Sequence, residues 1–232
     1  MSRSLIAGLL LTPVLLAAPV PKEDAAERVR RIYGSVHDPD EGSTFKSDGD
    51  ALRISVPAKQ RLIEPWLDFA RRDTTNAPRV WRDVKGDFTA TVRASFPIRS
   101  KIPAQHSGGS DTGAGGGLVV WVDHHNFLTV TRDEREFDGK PGEHFRCKSR
   151  IVGRGRTESE YSALNRSGYL RVQRKGKELD GSYSTDGKKW TLICSHEVEW
   201  ADTLKVGVVA ENNFEAPFAV AFDEYKLTVP KK

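Results

Sequence analysis

The chain has 232 residues, 38% of them hydrophobic, and 36 Lys and Arg against 32 Asp and Glu give a formal charge of +4 at pH 7. That is apolar material for one globular domain, and so mild a basic excess makes no electrostatic case for a nucleic-acid partner. No apolar run reaches the ~20 residues that a membrane-spanning helix needs, so no membrane span is expected.

Arg3 precedes an apolar run over residues 5–16, broken only by Gly8, Thr12 and Pro13, and the small residues Ala17 and Ala18 follow. This is the layout of an export signal, and the charged Lys22-Glu23-Asp24 behind it argues against a buried first element. Leu16 and Ala18 do not make an A-x-A site and Pro19 is awkward after a cut, so residues 1–21 read as an export signal or a short N-terminal anchor. The protein is expected to be exported, periplasmic or extracellular.

Residues 22–34 form a lead-in with room for a helical turn or two, residues 35–229 the domain, and 230–232 a tail. Residues 34–50 are loop-like, with an edge strand at 43–46, and 51–56 alternate as the first strong strand. Residues 57–78 lack strand pattern; Pro65 breaks their helical spacing, which leaves a lid-like loop with a short helical piece. From Arg79 onward short alternating stretches follow one another, separated by turns such as Lys85-Gly86, with no alternation of strand and helix. The expected fold class is all-β, a two-sheet sandwich or barrel.

The hairpin over residues 118–132 turns at Asp123-His124-His125-Asn126. With an even loop, Trp121 pairs with Leu128 and Val119 with Val130, which sends Val119, Trp121, Leu128 and Val130 inward. Val120, Val122, Thr129 and Thr131 are left as a mixed surface able to floor a ligand site. A two-residue turn at Lys175-Gly176 pairs Val172 with Leu179, and Arg171 with Asp180. By the same alternation Cys147 faces inward with Phe145 and Ile151, and Cys194 with Trp190 and Leu192. The cysteines either join the two sheets or sit as separate small hydrophobes.

Four groups of residues, taken in order, resemble a known family. They are Asn76-Ala77-Pro78-Arg79-Val80 leading to Gly86-Asp87-Phe88; Trp121-Val122-Asp123 with Asn126-Phe127; Gly168-Tyr169-Leu170-Arg171 leading to Tyr183-Ser184-Thr185-Asp186-Gly187 and Trp190; and Val206-Gly207-Val208 with Phe218 and Phe222-Asp223. The order is similar to a bacterial domain-of-unknown-function family of the concanavalin A-like lectin/glucanase superfamily, related to the "regulation of enolase" proteins. The resemblance implies a curved antiparallel jelly-roll sandwich with ligands on its concave face or rim loops, and no settled activity. His124 and His125 stand where relatives often carry acidic residues, which counts against a cation role for that turn.

Glucanases of this superfamily place catalytic carboxylates on one strand, and retaining chemistry needs two carboxyl groups ~5–5.5 Å apart. Glu134, Glu136 and Asp138 give E-x-E-x-D just before a Gly139-Lys140-Pro141-Gly142 turn, so they read as a solvated hairpin end. Residues 113–117 are glycine-rich, but a strand follows and no Gly-Lys-Ser/Thr is present, so a connector or bulge is expected rather than a phosphate cradle. Asp38, Asp40 and Glu41 read as an acidic surface loop before a calcium site. No cofactor or metal is expected.

Between residues 146 and 177 ten Lys and Arg face two Glu, and Arg146, Lys148 and Arg150 point one way on one strand. That ladder is either a solvated face or a contact for an anionic glycan. Trp66 and Trp81 are the aromatic platforms left for a sugar, and Asp123, His125 and Asn126 offer hydrogen-bonding groups at the rim. The candidate ligand site is therefore Asp123, His125, Asn126, Thr129, Thr131, Arg146, Lys148, Arg150, Trp66 and Trp81, serving an exported, non-catalytic domain that binds a polysaccharide or cell-surface glycan. A glycan hydrolase or lyase on the same fold and a protein-interaction or regulatory module are the alternatives.

Overall fold

The computed structural model describes residues 23–58, 76–97, 113–137, 140–152, 154–162 and 167–230. Residues 59–75 of the lid-like loop, with Trp66, the expected export segment and Asp138 lie outside the described residues.

The lead-in is one helix, α1 (Ala25–Ile32), started by Asp24, whose carboxylate accepts from the Glu27 amide, and ending with Arg30 and Arg31 in its last turn. Acid at the start and base at the end suit the helix dipole. Its Val29 and the following Tyr33 are buried in the sandwich core, and Tyr33 stacks on Tyr225 at 5.0 Å, so the lead-in is packed into the domain. Gly34 then turns the chain at φ +116°, where a Cβ would lie 2.0 Å from the Trp81 carbonyl oxygen, so the position accepts only glycine.

Among the described residues fourteen strands follow: β1 (Ser35–His37), β2 (Thr44–Asp48), β3 (Ala51–Val56), β4 (Arg79–Lys85), β5 (Phe88–Ser95), β6 (Ala114–Asp123), β7 (Asn126–Phe137), β8 (Lys140–Ile151), β9 (Arg154–Ser162), β10 (Ser167–Lys175), β11 (Glu178–Ser184), β12 (Thr191–Glu197), β13 (Thr203–Asn212) and β14 (Phe218–Thr228). They form two seven-stranded sheets, β1-β4-β13-β6-β7-β8-β9 and β12-β11-β10-β5-β14-β3-β2. Each ladder is antiparallel, and β13 and β14 return to insert between earlier strands, which makes a jelly-roll sandwich. Leu118, Val120, Leu128, Val130 and Phe145 of the first sheet meet Val92, Leu170, Val172, Val220 and Phe222 of the second in one core. Cys147 on β8 and Cys194 on β12 form a disulfide between the sheets, with 6.2 Å between their Cα atoms.

Two expectations about side-chain direction are corrected, and one about cross-strand pairing. In the β6–β7 hairpin Asp123 pairs with Asn126, but the register shifts between Trp121 and Asp123, leaving Val122 as a bulge; below it Trp121 pairs with Phe127 and Val120 with Leu128. One extra residue turns over the β6 side chains below it, while Leu128 and Val130 on β7 face inward as expected. Val120 and Leu128 go into the core, and Val119, Trp121 and Phe127 join Ala77 and Val209 in a second cluster on the far face of the first sheet. A similar shift on β12 leaves Leu192 58% exposed although Cys194 is buried.

The third hairpin differs by two residues, which preserves the faces: Arg174 pairs with Leu179 and Val172 with Gly181. Its polar pairing does change. Gln173 lies opposite Asp180, and Arg171 instead lies over Trp190 at 4.5 Å. The glycine-rich stretch is no connector either, since residues 115–117 run mid-sheet between β13 and β7.

Candidate functional site

The far face of the first sheet carries two adjoining features, an open cleft and a buried network of charges. The cleft encloses about 490 Å³ and is lined by His37, Pro39, Asp40, Asn76, Arg79, Trp121, Val122, Asp123 and His124. Edge strand β1 delivers His37, the lead into β4 delivers Asn76 and Arg79, and the bulged end of β6 delivers Trp121 and Asp123.

Aromatic rings run across these strands. His37 stacks on Trp81 at 5.2 Å, Trp81 tilts against Trp121 at 5.8 Å, and Trp121 stacks on Phe127 at 5.4 Å. The Arg79 guanidinium carbon sits 4.6 Å from the centre of Trp81 and 4.4 Å from that of Trp121, a cation held by two indole faces. Partial burial, and after it the Arg79 charge, hold the His37 imidazole below its usual range.

The polar groups of the rim are fixed in place. Asp123 Oδ1 accepts from the His125 amide at 2.7 Å and from Asn126 Nδ2 at 3.1 Å, closing the turn as an Asx-turn. Asn126 Oδ1 accepts from the Val152 amide at 3.0 Å, and Arg150 donates to the His124 carbonyl at 3.0 Å, so the tip is tied to the end of β8. Across the cleft Asn76 Nδ2 donates to Asp40, while the buried Asn76 Oδ1 has no hydrogen-bond partner among the described residues.

Deeper on the same face lie the side chains of the basic ladder. Arg146, Lys148 and Arg150 do share one side, as expected, but all three are buried rather than solvated. Arg146 donates to Asp133 at 3.1 Å, and Lys148 donates to Glu211 at 2.8 Å while standing 4.0 Å from Asp133. Thr129 and Thr131 face Lys148 and Arg146 across the ladder and are fully buried. Gly115 lies between Glu211 and Asp133 in the register, and a Cβ there would come within 2.6 Å of Asp133 Oδ1. Burial pushes the Glu211 carboxyl up to about 7 against the pull of Lys148. Glu134, read as part of a solvated hairpin end, is instead wholly buried, close to the Arg132–Glu143 ion pair of 2.6 Å.

Of the sequence candidates, Asp123 lines the cleft; His125, Asn126 and Arg150 brace it; and Trp81 backs it. Thr129, Thr131, Arg146 and Lys148 sit on the right face but are closed to solvent. The cleft residues missed were His37, Asp40, Asn76, Arg79 and His124 as ligand groups, and Trp121, assigned to the core. The alternation of Arg79 with Trp81 was the available signal for a shared face. Asp38 accepts from the Ser43 amide and hydroxyl, which closes the acidic loop on itself. Among the described residues Cys147, Cys194 and His196 are the group close enough to share an ion, and its two sulfurs are joined to each other.

Two antiparallel seven-stranded sheets with returning strands make this protein a jelly-roll β-sandwich. The chain belongs to the family described as "Protein of unknown function (DUF1349)", which matches residues 40–230. No curated protein matches the sequence. Among solved structures it is similar to a functionally unknown protein from Saccharomyces cerevisiae, with 17% identity over 85% of this chain and 97% of that one, at a TM-score of 0.69. It is also similar to the GH43 protein BlXynB from Bacillus licheniformis, with 19% identity over 83% of this chain and a TM-score of 0.59, although it spans only 36% of that protein. An alginate lyase from Klebsiella pneumoniae aligns over 82% of this chain and 85% of its own, with 9% identity and a TM-score of 0.53. At such identities the likeness is one of fold.

Proposed function

We propose that this is an exported carbohydrate-binding domain that holds its sugar in the cleft between His37 and His124 without cleaving it. The observation that carries the reading is the composition of that cleft: the Trp121 indole beside Asp40, Asn76, Arg79, Asp123 and His124. A concave site that joins an apolar ring to a few oriented polar groups suits a molecule with apolar faces and hydroxyl edges. Export is supported by the Arg3 and apolar 5–16 layout and by the disulfide, a bond that persists in oxidising compartments. The deeper carboxylates of that face, Asp133 and Glu211, are buried in ion pairs with Arg146 and Lys148, and the two in the cleft, Asp40 and Asp123, are each held by amide donors, which favours binding over hydrolysis or elimination.

A glycan array probed with the full chain, together with a reducing-sugar assay, tests this reading. Expected are retention on some glycans, at least tenfold weaker retention by Asp123→Ala, and no release of reducing ends. An array on which nothing is retained, or retention indifferent to Asp123→Ala, would overturn it. A protein-interaction role, which the resemblance to "regulation of enolase" proteins suggests, has one observation in its favour. Half-exposed Val36 adjoins a cavity of about 320 Å³ lined in part by Ala26, Val29 and Phe45. A pull-down with Val36→Asp as control tests it.

A further inference from the structure

Resting on the carbohydrate reading, we infer that the cleft is built for an uncharged sugar and turns anionic glycans away. The two features that bear on ligand charge are the basic ladder and the cleft lining, and they point in opposite directions from what the local count of Lys and Arg suggests. Arg146 and Lys148 face inward and are engaged by Asp133 and Glu211, and Arg150 donates to the His124 carbonyl. Their charge is spent on holding the sheet and the hairpin tip together. A glycan carboxylate reaching them would have to replace carboxylates already in contact at 2.8 and 3.1 Å.

The open cleft presents the contrary chemistry. Asp40 and Asp123 both line it, the His37 imidazole is held below its usual range, and Arg79 is a cation pinned between two indoles. Each carboxylate is oriented by hydrogen bonds that use only part of its acceptor capacity. Asp40 receives Asn76 Nδ2, and Asp123 receives the His125 amide and the Asn126 amide group. A carboxylate has about four lone-pair sites, so both keep acceptors for a ligand. A lining rich in acceptors calls for a ligand rich in donors. Hydroxyl groups supply them, whereas a uronate or sulfate would bring a like charge against Asp40 and Asp123.

The test is affinity electrophoresis of the full chain in gels containing xyloglucan, galactan, polygalacturonate or chitosan, at low and physiological salt. Expected is retardation by at least one uncharged polymer with an apparent Kd at least tenfold below that for polygalacturonate, changing less than twofold with salt. Asp40→Asn removes one carboxylate from an exposed loop while keeping an acceptor for Asn76, and is expected to narrow that gap at least threefold. Polygalacturonate retention as strong as the best uncharged polymer, lost as salt rises, would overturn the inference and restore the ladder as anchor. Chitosan preferred at least tenfold over every uncharged polymer would overturn it in favour of an amino sugar. Retardation by none of the four, with an empty array, would remove the carbohydrate reading itself.

Discussion

Trp121 lies on Phe127 with 5.4 Å between ring centroids and 12° between planes, and the pair exists because Val122 is bulged out of the ladder. Without the bulge the Asp123–Asn126 pairing would have continued down the hairpin, setting Trp121 opposite Leu128 and turning it into the sandwich core. With it, the indole reaches the far face, shields Arg79 and walls the cleft. A local irregularity thus decides which side of the sheet holds the candidate site.

Deleting Val122 tests this directly. The shortened hairpin keeps Trp121 opposite Phe127 and Asp123 opposite Asn126 with a two-residue turn, so the body of the sheet stays in register. Asp123 then follows Trp121 immediately and must point to the opposite face. The expected outcome is a folded protein less stable by about 1 kcal/mol, a typical cost for a single change, with sugar retention lost. Unchanged retention would show that the bulge does not position Asp123.

The buried ions give a second prediction. Lys148→Met leaves Glu211 and Asp133 facing each other without the ammonium that lies between them. Removing one member of a buried pair costs about 3–5 kcal/mol, because the remaining charge is uncompensated. The double variant Lys148→Met with Glu211→Leu is expected to recover more than half of that loss. Urea midpoints of the four proteins in this cycle check it, and a loss in the double variant equal to the sum of the two single losses would show that the pair is not coupled.

The sandwich was legible because alternation of apolar residues is repeated on many strands and tolerates errors at any one of them. An error of two residues, as at the β10–β11 turn, leaves Val172 and Leu179 on the same inward side. An error of one does not, and bulges at Val122 and on β12 supply it for Trp121 and Leu192. Nothing in the residue types near Val122 announces a bulge. The cleft was less legible still, since it joins β1, the lead into β4 and the tip of β6, segments brought together only by the crossover topology. Burial of the basic ladder was hidden for a related reason: Glu211 lies on β13, 63 residues from Lys148, and the contact of Asp133 with Arg146 depends on the register of the β7–β8 hairpin.

The inter-sheet disulfide should be a major support. Cys147 and Cys194 are separated by 47 residues, and closing a loop of that size in the unfolded chain is worth about 4 kcal/mol on the chain-entropy estimate. Cys147→Ala with Cys194→Ala is expected to lower the urea midpoint by that equivalent, and a reducing agent should move the native protein but not the variant. A native midpoint unmoved by complete reduction would show that packing alone holds the sheets.

The pH dependence of stability separates two buried groups that pull in opposite directions. Glu211, raised by burial from its ordinary 4.5 to about 7, keeps a proton in the folded state that the unfolded chain releases. Its contribution is full below about pH 4.5 and is lost as pH rises through 7. His144 is held down from 6.5 to about 4, first by burial and then by the Arg135 charge. Its contribution is present above pH 6.5 and is lost as pH falls through 4. Between pH 4.5 and 6.5 the two slopes, each at most about 1.4 kcal/mol per pH unit, oppose one another, so this pair leaves the wild-type stability nearly flat. Glu211→Gln removes the falling slope, and its stability should climb with pH across that window. His144→Gln removes the rising one and should decline. Urea midpoints at pH 4.5, 5.5 and 6.5 read the difference; parallel curves for wild type and Glu211→Gln would show that Glu211 titrates as an ordinary carboxyl and that Lys148 holds it ionised throughout.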